Sequence, residues 1–175
     1  IGNENTTAGG DPGVAMHIDG VYLGRPAASL FTAFDMERVE ILRGPQGTLY
    51  GRNATGGSIN LITKKPDLEE FSGKVDLTYG DYDWTRVRAG LNVPVSETVG
   101  LRLSVYGEER DGYTENNYPG GNDENDRDDW GGRGHLSFEL GDQGSLLLSG
   151  AYLESGGVGP HPELREAFPG TTTAP

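Results

Sequence analysis

The chain contains no cysteine, only three histidines and no long apolar run. Without cysteine it can form neither a disulfide framework nor a thiolate metal site. No stretch approaches the roughly 18 consecutive apolar residues that a membrane-spanning helix needs. This shortage does not exclude a membrane, because closed β-barrels also satisfy every backbone hydrogen bond in lipid and leave a weaker signal in the sequence.

Positive charge is also scarce, with 14 lysines and arginines against 27 aspartates and glutamates and a formal net charge of -13. This balance argues against a typical basic nucleic-acid binder. The 29 glycines and 34% hydrophobic content among 175 residues are untypical of a helical bundle. The sequence has no amino-terminal signal segment and opens in the middle of a domain at Ile1, so we expect an internal fragment of a longer protein.

Catalytic motifs are missing as well. His17, His135 and His161 are scattered, without a His-Glu-x-x-His helix or a serine elbow around them. The glycine-rich residues 44–57 lack the Gly-Lys-Ser/Thr ending that cradles phosphates. No spacing singles out a pair of carboxylates for glycoside hydrolysis. We therefore predict no enzyme activity, no catalytic residue, no metal site and no cofactor.

One glycine-rich stretch is more informative than the rest of the chain. Residues 36–51 read MERVEILRGPQGTLYG, and residues 53–64 read NATGGSINLITK. Asp35 or Thr32 is placed to cap a short helical turn over residues 36–38, and a half-buried strand should follow that turn.

The strand should end at Gly44 and Pro45, because glycine adopts backbone angles closed to other residues and proline lacks an amide hydrogen. A second strand is predicted over residues 58–63, stopped by Lys64, Lys65 and Pro66. Taken alone, these features also fit a generic α+β fragment with glycine turns.

The fixed order of these residues resembles the plug of TonB-dependent outer-membrane receptors. In that family a small plug sits inside a wide β-barrel, and the resemblance makes residues 1–66 the carboxyl-terminal part of an α+β plug. It also implies that Arg43 pairs with barrel glutamates beyond Pro175. Residues 17–22 look like an earlier plug strand and turn, although a plain hairpin turn at Asp19 and Gly20 explains them equally well. The residues that match the plug signature, for which we predict a gating role, are Glu40, Arg43, Gly44, Pro45, Tyr50, Gly51, Gly56, Gly57 and Asn60.

From Phe71 onward the sequence alternates strictly between apolar and polar residues, in segments of the length that tilted membrane strands need. Five antiparallel strands are predicted, at about residues 71–80, 84–94, 99–110, 129–140 and 145–155. The apolar face carries no charged residue. With the resemblance, residues 67–175 become the start of an incomplete transmembrane barrel of about 22 strands, an open sheet in a mainly β chain. A soluble β-sandwich shows the same alternation and stays open as the alternative.

The connections between these strands alternate between short and long, as they do in outer-membrane barrels. If the strands run alternately up and down, most aromatic rings fall near the rim that carries the longer loops. Aromatic girdles mark the lipid–water boundary of such barrels. The rings in question are Tyr79, Tyr82, Trp84, Tyr106, Tyr113, Trp130 and Tyr152, of which Trp84 and Tyr106 fall on the polar face.

The acidic loop over residues 111–129 suggests a calcium site at first sight. The calcium-loop pattern fails, because Trp130 holds the fifth position and Ser137 the twelfth, where a bidentate glutamate belongs. A solvated external loop is the better interpretation. Its aromatic and amide side chains are candidate ligand contacts: Tyr113, Asn116, Asn117 and Tyr118.

The resemblance implies active uptake of a scarce ligand across the bacterial outer membrane. Iron bound to a siderophore is the first candidate, and haem, cobalamin and glycans are the others. The implied partners are outer-membrane lipid, the small-molecule ligand and the TonB complex of the inner membrane, which binds a segment that this chain lacks; nucleic acid is not among them. A passive porin has no reason to carry a plug, and a soluble β-sandwich binding module is the more distant alternative.

Overall fold

The computed structural model of the chain describes residues 13–23, 34–50, 53–114 and 123–157. Within these ranges the chain is mainly β and forms two separate sheets, one of four strands and one of five. A one-turn helix, Gly47–Tyr50, lies along the chain between the last two strands of the four-stranded sheet. No helix in the described ranges is both long and apolar enough to cross a bilayer.

The four-stranded sheet, called the small sheet below, has the order β2-β1-β4-β3. Strands β1 and β4 are parallel, and the other two pairs are antiparallel. Asp19 and Gly20 both have positive φ angles, 48° and 83°, which suits the tight hairpin turn predicted there. The strands are β1 (Val14–Ile18), β2 (Val21–Tyr22), β3 (Met36–Arg43) and β4 (Gly57–Thr63).

The predicted helical turn over residues 36–38 is wrong. Met36 already pairs with Thr63 as the first residue of β3, and a bulge between Met36 and Arg38 takes up the extra residue. Asp35 has a left-handed backbone, with φ of 52°, and its carboxylate bonds to the other sheet rather than to a helix N-terminus. Asp35, the predicted cap residue, therefore does not cap a helix, because its carboxylate accepts hydrogen bonds from Arg102 of the other sheet.

The five-stranded sheet, called the large sheet, is antiparallel throughout and follows chain order from β5 to β9. It does not close, and β5 and β9 are its two edges, as the fold prediction requires. A 3-10 turn, Gly141–Gln143, joins the last two strands. The strands are β5 (Ser72–Gly80), β6 (Trp84–Ser96), β7 (Val99–Arg110), β8 (Arg127–Glu139) and β9 (Ser145–Gly156).

The strand register puts the predicted apolar residues on one face of the large sheet. Val75 lies opposite Ala89, Ala89 opposite Val105, and Leu136 opposite Leu148. This face is open to the surroundings: Leu77 is 73% exposed and Val105 is 52% exposed. Residues directly opposite each other in a ladder share a face, so the alternation holds across all five strands.

The other face of the large sheet is polar, and its centre is buried. Asn92, Ser104, Arg133 and His135 are at most 6% exposed, and the small sheet bonds to this face. A soluble sandwich buries the apolar face and wets the polar one. Here the arrangement is reversed, so the sheet does not have the packing of a soluble β-sandwich.

Candidate functional site

The small sheet meets the polar face of the large sheet along a contact that we call the seam. Its residues come from the two positions before β3, from the end of β4, from the turn after β1, and from the inward positions of β6, β7 and β8. Charged and hydroxyl side chains make most of its hydrogen bonds, as expected for a boundary that is not packed around an apolar core.

Asp35 is a carboxylate of the seam that accepts three side-chain hydrogen bonds from the large sheet. Arg102 donates to it from Nε at 2.7 Å and from Nη2 at 2.5 Å, and the Ser104 hydroxyl donates a third hydrogen bond. Burial by itself would raise the pKa of the Asp35 carboxyl, but the hydrogen bonds from Arg102 and Ser104 and the positive charge of Arg102 outweigh burial, so the pKa lies below its ordinary value. Asp35 is therefore ionised at neutral pH and holds Arg102 in a bidentate pair.

Phe34, the neighbour of Asp35, is 5% exposed. Its ring stacks on Tyr106 with centroids 5.5 Å apart and planes 18° apart. The Arg133 guanidinium carbon lies 4.8 Å from the Phe34 ring centroid, and Arg133 Nη1 donates to the Phe34 carbonyl at 3.1 Å. The dipeptide thus contacts both β7 and β8.

A second group of seam contacts is centred on Thr63 at the end of β4. Its hydroxyl donates to Asp19 Oδ2 at 2.6 Å, and Lys65 Nζ donates to Asp19 Oδ1 at 2.7 Å. His135 Nε2 lies 3.0 Å from the Thr63 hydroxyl, and Nδ1 lies 2.7 Å from the Ser149 hydroxyl. Because Thr63 gives its one proton to Asp19, Nε2 of His135 is the donor and Nδ1 accepts from Ser149. The ring is fixed in one tautomer between the two sheets.

Asp19 is held in its ionised form by the same group of contacts. Burial would raise the pKa of its carboxyl, but hydrogen bonds from Lys65 and Thr63 and the charge of Lys65 lower it more, so the pKa lies below the ordinary value.

A half-open cavity of about 210 Å³ lies in the seam. Three cations line it, Lys64, Lys74 and Arg88, together with the carboxylates Asp35 and Asp76. Since Arg102 already neutralises Asp35, positive charge dominates the cavity, in contrast to the acidic chain as a whole.

Farther along the polar face, Glu108 fixes the two inward aromatic rings. Trp84 Nε1 donates to Glu108 at 2.9 Å, and the Tyr106 hydroxyl donates to its other oxygen. These rings therefore do not belong to a lipid-facing girdle. On the loop-bearing rim, Tyr82 pairs with Tyr113 at 6.1 Å and Trp130 with Tyr152 at 5.3 Å between ring centroids, and all four rings are more than half exposed.

The described residues of the plug signature lie on β3, on β4 and in the connection between these two strands. Asn60 Nδ2 donates to Glu40 Oε2 at 3.1 Å across the β3–β4 ladder. Gly44, with φ of 84°, donates its backbone N–H to the Gly56 carbonyl at 3.2 Å. At Gly57 a Cβ would lie 2.4 Å from the Leu42 carbonyl oxygen, so only glycine fits there.

The other signature residues are less constrained by the described contacts. Arg43 pairs with Gly57 in the ladder and is exposed together with Pro45. Tyr50 ends the one-turn helix, and Gly51 lies outside the described residues. The gating role of the whole set stays a prediction.

The predicted ligand contacts of the long loop are only partly described. Tyr113 is 53% exposed, and the Arg110 guanidinium carbon lies 4.9 Å from its ring centroid. Asn116, Asn117 and Tyr118 lie outside the described residues. Within the described ranges, no group of three or more His, Asp or Glu residues is placed to hold a metal ion.

Sequence reasoning missed the seam. It treated Asp35 as a helix cap, and it assigned no role to Thr63 or His135. The available signal was the placement of charged residues on the inward positions of three neighbouring strands. Their partners on the small sheet could not be identified from spacing, because the bonded pairs lie 67 to 99 residues apart.

Known proteins resemble both parts of the chain. Residues 4–58 match the family model described as TonB-dependent Receptor Plug Domain. The metal-pseudopaline receptor CntO of Pseudomonas aeruginosa is 41% identical over 80 residues, which cover 45% of this chain and 11% of that protein. The catecholate siderophore receptor Fiu of Escherichia coli is 32% identical over 143 residues, which cover 81% of this chain and 17% of that protein. The chain spans less than a fifth of the length of either relative.

Solved receptors share the arrangement of strands. The ferric yersiniabactin uptake receptor FyuA from Yersinia pestis matches with a TM-score of 0.66 at 30% identity, covering 75% of this chain and 21% of the receptor chain. The open form of the ferric-catecholate import receptor Fiu from Escherichia coli matches with a TM-score of 0.63 at 27% identity, covering 79% and 20%. The chain belongs to the TonB-dependent outer-membrane receptors, with plug residues in its small sheet and five strands of the barrel wall in its large sheet.

Proposed function

We propose that the protein containing this chain takes up a scarce ligand across the outer membrane by TonB-dependent transport. The supporting observation is the seam. The small sheet, which holds plug residues, is bonded through Asp35, Thr63 and Phe34 to the polar face of the large sheet, called the wall below. The other face of the wall is apolar and exposed. A plug fastened in this way obstructs free diffusion, so passage of a ligand requires work that moves the plug.

A ferric siderophore is the first candidate for the ligand, ahead of haem, cobalamin and glycans. The names of the similar receptors refer to a metal–pseudopaline complex, catecholate siderophores and ferric yersiniabactin. The cationic cavity lined by Lys64, Lys74 and Arg88 also favours a ligand with negative charge. Tyr113 and the neighbouring loop residues Asn116, Asn117 and Tyr118 are proposed as outer contacts for this ligand.

The proposed partners are outer-membrane lipid on the apolar face and the inner-membrane TonB complex, which supplies the work. Glu40, Arg43 and the glycines of the signature are proposed to transmit that work within the plug. No step of this transport makes or breaks a covalent bond, so the protein is proposed to act as a receptor and not as an enzyme.

Uptake by cells tests this proposal. The full-length gene is expressed in a bacterial strain that lacks its own siderophore receptors, and radioactive iron is supplied on catecholate, hydroxamate or carboxylate siderophores, with haem and cobalamin in parallel. We expect saturable uptake of at least one iron chelate, abolished by deletion of TonB or by an uncoupler of the proton gradient. Equal uptake with and without TonB would refute active transport and favour a passive pore.

A further inference from the structure

Phe34 and Asp35 form the most extensively bonded contact of the plug with the wall. Asp35 takes its three side-chain hydrogen bonds from Arg102 and Ser104, both on β7. The Asp35 and Arg102 side chains are 10% and 11% exposed. A bidentate pair shielded from water to this degree fixes both orientation and distance.

Phe34 adds a contact to the next strand. Its ring lies between the Tyr106 ring on β7 and the Arg133 guanidinium on β8, and its carbonyl accepts a hydrogen bond from the same guanidinium. The Asp35 carbonyl accepts from the Lys64 backbone N–H at 3.1 Å, which joins the dipeptide to the end of β4. A force that moves β3 and β4 is therefore transmitted directly to this contact.

The wall has a gap that fits Asp35. At Gly90 on β6, a Cβ would lie 3.1 Å from Asp35 Oδ1 and 3.4 Å from Arg102 Nη2. A side chain at this position would crowd the ion pair. Three strands of the wall thus contribute to the site that holds Phe34 and Asp35: β6 leaves space at Gly90, β7 supplies Arg102 and Ser104, and β8 supplies the Arg133 guanidinium over the Phe34 ring.

We propose that Phe34 and Asp35 form a releasable latch, which seats the plug on the wall in the resting receptor and detaches from Arg102 and Arg133 when a ligand passes. The proposal rests on the transport function proposed above. A ligand that travels along the polar face must part the seam at its contacts. A latch with an ion pair suits such a cycle, because water that enters the open seam solvates the charges of Asp35 and Arg102. Of the two latch residues, only Phe34 exposes an apolar side chain when the seam opens.

A disulfide across the seam tests whether the latch must open. The Gly90 Cβ position lies 3.3 Å from Asp35 Cγ, and a cysteine sulfur at position 35 would lie close to that Cγ. In a disulfide each Cβ lies about 3 Å from the opposite sulfur, so Asp35→Cys with Gly90→Cys has the required geometry. This chain has no cysteine that would compete.

The double-cysteine variant is made in the full-length receptor and oxidised with copper phenanthroline on whole cells. We expect the oxidised receptor to bind ferric siderophore and to take it up at least tenfold more slowly than after reduction with dithiothreitol. A control disulfide on the outward face, Val75→Cys with Ala89→Cys, joins two wall strands that are already paired and should leave uptake indifferent to the reductant. If the oxidised receptor took up ferric siderophore as fast as the receptor treated with dithiothreitol, the latch would be refuted.

The resting seal gives a second test that needs no siderophore. Asp35→Asn keeps the shape of the side chain but removes its charge, and we expect it to raise entry of vancomycin into cells at least fivefold. The charge swap Asp35→Arg with Arg102→Asp should restore part of the seal that either single reversal loses. An Asp35→Asn receptor that excludes vancomycin as well as the wild type would overturn the latch, whereas a wild-type receptor that carries no siderophore would refute only the transport function.

Discussion

The side chain of Asn92 and the backbone of Asp67 bond to each other in both directions. Asn92 Oδ1 accepts from the Asp67 N–H at 2.9 Å, and Asn92 Nδ2 donates to the Asp67 carbonyl at 2.9 Å. The same Nδ2 donates to the Glu70 carbonyl at 2.6 Å. Asn92 is fully buried on β6. One side chain of the wall therefore fastens the segment that leads from the plug into the barrel.

We predict that Asn92→Asp loosens this segment. The replacement keeps an acceptor for the Asp67 N–H but loses both donors, so two carbonyl oxygens face a buried carboxylate. Each unsatisfied buried group costs about 1–3 kcal/mol, and the free energy of unfolding of the full-length receptor should fall by at least that amount. Trypsin should also cleave faster after Lys64.

Ser137→Ala is the matched control, because Ser137 faces the same way on β8 but makes one long hydrogen bond, at 3.4 Å. Its effect should stay within about 0.5 kcal/mol. An Asn92→Asp receptor with wild-type stability and cleavage rate would show that the segment is held by other contacts.

The seam should become less stable in acid, and the pKa of the Asp35 carboxyl determines the direction of this pH dependence. This carboxyl has a pKa below the ordinary value of 3.8, because the hydrogen bonds from Arg102 and Ser104 outweigh the effect of burial. The stabilisation is therefore fully present above pH 3.8 and is lost as the pH falls through the lower pKa of the folded state. Lys64 adds to the stabilisation by its charge, and Asp19 follows the same sign.

The measurement is the difference in free energy of unfolding between wild type and Asp35→Asn, by denaturant titration from pH 2.5 to 6. The difference should be largest above pH 4 and should shrink below pH 3.8. Glu69→Gln, at an exposed position of the connecting segment, should give a small difference at every pH. A gap between wild type and Asp35→Asn that persists unchanged at pH 2.5 would contradict this account.

The wall was predictable from the sequence because its signal is local. Alternation needs only neighbouring residues, and charges such as Arg86 and Arg88 fell on one face of each strand. The signature residues were also local, since Gly44 and Gly57 serve turns and close backbone contacts within one hairpin. Asp35 was misassigned because a cap and an ion-pair partner have the same side chain, and Arg102, its true partner, lies 67 residues away. Which of two uses wins is decided by packing between sheets, which no local pattern reports.

The outward face of the wall should reject charge. Leu103 lies at the middle of β7 on the apolar face, 44% exposed and opposite Leu91. An arginine facing lipid near the bilayer midplane costs about 2–4 kcal/mol. Leu103→Arg should therefore lower the free energy of unfolding of the full-length receptor in lipid vesicles by that amount. Leu147→Arg, on the polar face of β9 opposite Ser137, should cost less than about 1 kcal/mol. Equal costs for the two variants would mean that the apolar face does not contact lipid.

Arg43 ends β3 with an exposed side chain, and its predicted partners are barrel glutamates beyond Pro175. Removal of one partner from a buried pair costs about 3–5 kcal/mol. In the full-length receptor, Arg43→Ala should therefore make the plug more sensitive to protease and slow ligand uptake. Arg38→Ala serves as the control, because Arg38 is already paired on the surface with Glu37 and Glu40 and such pairs contribute at most about 1 kcal/mol. Equal protease sensitivity of the two variants would remove the special role of Arg43.

The long loop should contribute to ligand affinity rather than to the seal. Tyr113 projects from its base, and Asn125 Nδ2 fastens that base by donating to the Thr114 hydroxyl at 2.7 Å. Replacement of Tyr113, Asn116, Asn117 and Tyr118 by alanine should weaken binding of the transported ferric siderophore at least tenfold, because aromatic faces and amides are lost together, while vancomycin exclusion stays at the wild-type level. Asn125→Ala separates anchoring from contact. It should weaken binding less than the fourfold variant, since it removes one hydrogen bond of the loop base, leaves the backbone pairing of Thr114 with Glu124 and keeps the contacting groups. Unchanged affinity in the fourfold variant would exclude these residues from the binding surface and place ligand recognition on other loops of the receptor.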